Sequence, residues 1–139
     1  MVEIPPEKAI PVAMALEAVQ TAAATCTAAG ATNSVAVVDL NSNIKAMLTS
    51  DGAVNAAFEY VRTKAYTVLK KGMASSAYGK SLGQVTRGQV FEGDPNLTQY
   101  GGALPIMKNG ELIGAISVSS SMPRMDEVCA AAGLKKFAF

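Results

Sequence analysis

The chain has 139 residues, 12 basic against 11 acidic, with 50% apolar side chains, no tryptophan and no histidine. That length suits one domain with one core, read as residues 1–139. The absent basic surplus argues against a nucleic-acid binder, and two cysteines without histidine argue against a zinc site, so no metal is expected.

The N-terminus lacks a cationic leader, and Pro5 and Pro6 interrupt the place of a signal core. Its apolar runs read as shorter than a membrane span, so the expectation is a cytoplasmic chain with no membrane partner. Near-neutral charge leaves little repulsion against self-association, which suits a homo-oligomer.

A first helix is expected over residues 8–29, with Ala9, Val12, Leu16, Val19, Ala23 and Cys26 as its apolar stripe and Gly30 as its stop. Residues 34–40 then pair with 44–50 as a hairpin around Asn41-Ser42-Asn43, where asparagine tolerates positive φ. The first of these strands is nearly all apolar, so both its faces should be covered.

Thr49-Ser50-Asp51-Gly52 supplies cap oxygens for a second helix over 54–71, whose stripe is Val54, Ala57, Phe58, Val61, Ala65, Val68 and Leu69. A short helix over 77–86 and a loop over 88–95 follow. Asn109-Gly110 turns a second hairpin, 103–108 with 111–119, and Pro105 belongs on its edge. A last helix runs over 124–132 and is capped by Gly133. Helices and antiparallel hairpins in this order define an α+β sheet with helices packed on it. Cys26 and Cys129 fall in separate helices and read as buried small hydrophobes, with no disulfide.

The stretch Gly101-Gly102-Ala103-Leu104-Pro105-Ile106, the return strand Gly110-Glu111-Leu112-Ile113-Gly114-Ala115-Ile116-Ser117-Val118-Ser119 and the helix Asp126-Glu127-Val128-Cys129-Ala130-Ala131-Ala132-Gly133 resemble the GlcG/HbpS-like family. Val35-Ala36-Val37-Val38-Asp39, Asp51-Gly52-Ala53 and Arg62-Thr63-Lys64-Ala65 resemble its upstream segments. The resemblance covers about residues 10–134. It implies a profilin-like antiparallel sheet of about five strands between helices, assembled as dimers or larger rings. It also implies haem as a cofactor, bound through histidine in some members, and genes placed beside catabolic pathways. Here Thr49 and Ser50 stand where members carry an Arg before the Asp-Gly turn, and the lack of histidine excludes imidazole ligation.

Helical phase sets Arg62 and Lys64 on opposite shoulders of the second helix, beside Tyr66 and Tyr60. Either cation could anchor a carboxylate or haem propionate at a cleft rim, or snorkel as a surface charge. The resemblance favours Lys64. Asp39 reads as a turn cap, with an acid facing the cleft as the alternative. Ser117, Ser119, Ser120 and Ser121 read either as an anion nest or as an N-cap by Ser121. Gly101-Gly102 is no phosphate loop and instead lets the backbone approach a neighbour closely.

Two functions follow as expectations. One is a small-ligand-binding accessory or sensor protein holding haem or another planar or anionic molecule, through Lys64, Arg62, Asp39, Ser119 and Ser121. The other is a small isomerase, lyase or hydrolase using Lys64, Arg62 or Asp39. A purely structural subunit is a third reading.

Overall fold

A computed structural model describes residues 3–83 and 93–139. A 3-10 turn at Pro6–Lys8 leads into α1 (Val12–Ala28), followed by β1 (Asn33–Asp39) and β2 (Ile44–Thr49). Then come α2 (Ala56–Lys71), α3 (Ser75–Ser81), β3 (Ala103–Lys108), β4 (Glu111–Ser120) and α4 (Asp126–Leu134). Both expected hairpins form, and β1 also pairs with β4 antiparallel, giving the strand order β2-β1-β4-β3. The described residues hold four strands where about five were expected. Of the short helix expected over 77–86, α3 covers 77–81 and ends before Leu82 and Gly83, while 84–86 and most of the 88–95 loop lie outside the described residues.

Side-chain alternation on the central strands builds two cores. Val35, Val37, Ile116 and Val118 face α1 and α4. Val38 and Ala115 face α2, with Ala65 and Val68. All seven residues of β1 are buried, as a strand covered on both faces requires.

Alanine decides how α1 lies. Val12 and Leu16, expected on the buried stripe, are 54% and 49% exposed, while Ala15, Ala18, Ala22 and Cys26 are fully buried. The smaller side chains let α1 come close to the sheet and α4, and that outweighs burying the larger ones. Gly133 is part of the same contact rather than a cap, because a Cβ there would meet Ala18 O at 2.5 Å. Pro6–Ala28 passes the length and composition of a membrane span, which the reading of short apolar runs missed. In this fold its alanine face is covered by the sheet and α4.

Two turn details also differ from expectation. In the turn between β1 and β2, positive φ falls on Ser42 rather than on Asn41 or Asn43. Ser50 does not cap α2; its hydroxyl accepts from Asn33 N (2.8 Å), tying the end of the first hairpin to β1.

Cys26 and Cys129 form a disulfide between α1 and α4, with 5.7 Å between their Cα atoms. This overturns the expectation of two free thiols. Separate helices say nothing about spacing once both pack on one sheet face, and here they place the two Cα atoms within bridging distance.

Candidate functional site

At the ends of β1 and β4, the first turns of α2 and α4 and the Tyr100-Gly101 segment enclose a cleft of about 540 Å3. Ala53, Val54, Ala56 and Ala57 give one apolar wall. Tyr60 and Tyr100 meet edge to face, ring centres 6.2 Å apart, and both are about 40% exposed. Ser119, Ser120, Ser121, Lys64, Asp126 and Glu127 supply the polar lining.

Lys64 is not a rim cation. It points from the buried face of α2 across the sheet end, with a side chain only 4% exposed. Its ammonium donates to Asp126 Oδ2 (2.9 Å) and to Val118 O (3.0 Å). Asp126, equally buried, also accepts from the Ser120 hydroxyl. Helical phase located Lys64 beside the apolar stripe but gave no sign of the carboxylate that α4 brings to it. A buried ion pair persists because each partner offsets the other's desolvation.

Gly102 makes room for that pair. It sits at φ +132, and a Cβ would lie 2.5 Å from Val118 O and 2.9 Å from Lys64 Nζ. The expected close backbone approach at Gly101-Gly102 therefore has definite neighbours. Gly102→Ala adds backbone strain to a clash with main chain, and should cost at least about 2 kcal/mol of stability in urea unfolding.

The other expected site residues separate. Arg62 lies on the far shoulder of α2, against a second hollow of about 230 Å3 lined by Ala36, Met47, Phe58 and Tyr66. Its guanidinium donates to Glu59 Oε2 (2.9 Å) and Asn96 Oδ1 (3.4 Å). Tyr66 donates to Asp94 instead of stacking beneath Arg62. That bond holds the Asp94 carboxyl below its usual range and raises the phenol.

Asp39 lines neither hollow. It accepts from Asn41 N (2.9 Å), Asn43 N (3.0 Å) and Asn43 Nδ2 (3.0 Å), so the turn-cap reading holds and the cleft acid does not. Lys64, Arg62 and Asp39, any one of which the enzyme alternative would use, thus lie in three separate places on the fold.

In the serine cluster, Ser119 and Ser121 line the cleft. Ser121 does not cap a helix; its hydroxyl accepts from Thr32 N (3.0 Å), closing the end of β1. The first turn of α4 carries the chain's own carboxylates, Asp126 and Glu127, where an anion nest was one reading. Sequence reasoning missed Asp126 as a site residue, although it stands in the quoted Asp-x-x-Cys-Ala segment. It also named Tyr60 only as a neighbour of Lys64 and left out Tyr100.

Fold and cleft define a small α+β domain: an antiparallel sheet sandwiched by helices, with an aromatic-walled cleft at one sheet end. The model of the haem degrading protein HbpS-like family matches residues 10–135, and the chain belongs to that family. The crystal structure of HbpS overlays with a TM-score of 0.85 at 25% identity, covering 100% of this chain and 95% of that one. A double mutant of the Streptomyces reticuli HbpS gives 0.85 at 24%, covering 100% and 92%. A PduOC–haem complex gives 0.82 at 17%, covering 93% and 95%. Among curated protein sequences none matches significantly.

The described lining suits a haem in part by size and in part by chemistry. A cleft of this volume with apolar and aromatic walls takes a planar apolar body. Phenol oxygens are present where imidazole is lacking. Among the described lining residues the one ammonium, that of Lys64, is already paired with Asp126 and is not free for a ligand carboxylate.

Proposed function

We propose that the chain is a small-ligand-binding protein that holds a planar, largely apolar molecule, a haem-type tetrapyrrole, in the cleft between α2 and α4. The observation that carries this reading is the aromatic-walled cleft of about 540 Å3, with Tyr60 and Tyr100 half-exposed across it. Half-exposed tyrosines on an otherwise ordered surface offer ring faces to a flat ligand at little entropic cost. The family description and the haem complex among the structural neighbours support the tetrapyrrole. Ala53, Ala56 and Ala57 receive the ring, and the Lys64–Asp126 pair with its serines forms a polar floor that keeps the cleft's shape.

An accessory or sensor role in a catabolic pathway, as a homo-oligomer, belongs to the same reading. Ile44, Val54 and Phe58 are large apolar side chains left exposed on one chain, and a second copy would cover such residues. A cytoplasmic location sits uneasily with the Cys26–Cys129 disulfide. Alkylating the thiols in intact cells, before lysis, reads which of the two holds.

Titration with haemin tests the site. Wild type should give a saturable Soret change at one haemin per chain, with Kd of about 10 µM or tighter. Ala56→Trp fills the cleft from an exposed position in the first turn of α2, and should weaken binding at least about tenfold without lowering Tm. Wild type without a saturable change, or unaltered affinity in Ala56→Trp, would refute the site.

A further inference from the structure

We infer that Tyr60 is the axial ligand for the iron of a haem held in this cleft, through its phenolate oxygen. The inference rests on the tetrapyrrole reading above and adds the residue that binds the metal. It comes from the donors that this chain places around the cleft.

Protein ligands to haem iron are drawn from histidine, cysteine, methionine and tyrosine. The chain contains no histidine. Both cysteines are fully buried and joined to each other on the α1–α4 side of the sheet. Among the described residues no methionine lines the cleft; Met122 and Met125 pack against the opposite core and Met47 lines the other hollow. Lys64 could ligate only as a free amine, and both Asp126 and Val118 O hold its ammonium. Among the described lining residues, tyrosine oxygens are what remains.

Geometry separates the two tyrosines. Tyr60 stands on α2, one turn before the anchored Lys64, so its Cα is fixed by a 16-residue helix. Its hydroxyl has no hydrogen-bond partner among the described residues, and the residue is 42% exposed beside the cleft. Tyr100 lies in the irregular segment before β3 and has further interactions of its own. Its ring meets that of Tyr60 at 80°, an edge contact that limits how Tyr60 can turn. Tyr60 is thus a phenol held in place, with its oxygen uncommitted. On coordination the O–H bond breaks, its proton passes to solvent, and the phenolate oxygen donates an electron pair to ferric iron; no oxidation state changes.

The experiment uses the full chain with haemin, read by absorption, resonance Raman and EPR. Wild type should show phenolate-to-iron charge transfer, phenolate–iron vibrations on Raman excitation in that band, and a high-spin ferric signal. Tyr60→Phe keeps the ring and should lose the phenolate–iron vibrations altogether, with haemin binding at least about tenfold weaker. Tyr100→Phe should retain those vibrations. If they persist in Tyr60→Phe, vanish in Tyr100→Phe, or are lacking in a wild-type complex that does form, the assignment to Tyr60 is wrong and the cleft reading stands. If wild type forms no haemin complex, the tetrapyrrole reading fails, and the assignment with it.

Discussion

Lys64→Met should lower the unfolding free energy by about 3–5 kcal/mol, measured by urea denaturation at neutral pH. The variant keeps the length of the side chain but leaves the Asp126 carboxylate buried, 2% exposed, with only the Ser120 hydroxyl among the described residues donating to it. An uncompensated charge in that position is far costlier than the pair. Asp126→Leu alone should cost a similar amount, because it strands the Lys64 ammonium against Val118 O. The double variant Lys64→Met with Asp126→Leu should recover much of the loss, since it removes both charges and the desolvation they carry. A single variant within about 1 kcal/mol of wild type would show that the pair is not closed in solution. A rim lysine anchoring a ligand would give the opposite pattern, with stability untouched and binding alone reduced.

Removing the Cys26–Cys129 disulfide should cost about 2–5 kcal/mol, the usual range for a bridge closing a long loop. The bridge spans 103 residues, so in the unfolded chain it restricts nearly the whole sequence. It also fastens α4 to α1 one turn after Asp126, where the cleft begins. Cys26→Ala with Cys129→Ala, and wild type unfolded with and without reductant, should agree on the size of the effect. Thiol titration of unreduced, denatured protein should find none free. Two free thiols, or equal stability with and without reductant, would count against the bridge. Both cysteines are fully buried, so reduction should be slow in folded protein and fast in urea.

The sequence determined the local architecture because local chemistry carries it. Asn109-Gly110 specifies a tight hairpin turn, and Asn109 indeed takes φ 51 and Gly110 φ 78. The β-branched run of β1 announced a strand covered on both faces, and Gly72 closes α2 in the left-handed conformation. The Asp39 turn cap and the edge position of Pro105 were legible for the same reason: each is settled within a few residues. The family motif was readable too, because it lies in one continuous stretch from Gly101 to Gly133.

What the tertiary structure alone decided joins residues far apart in the chain. Lys64 meets Asp126 across 62 residues, and Cys26 meets Cys129 across 103. Helical periodicity gives the face of a helix but not what that face meets, so a lysine beside an apolar stripe looked like a rim cation. Two cysteines on different helices looked separate for the same reason. The phase of α1 was misjudged because hydrophobicity ranks Val12 and Leu16 above alanine, whereas close helix packing selects the smallest side chains. The cleft exists only where the ends of α2, β4 and α4 converge with Tyr100. Its described walls come from five separate parts of the chain, and only folding brings them within reach of one ligand.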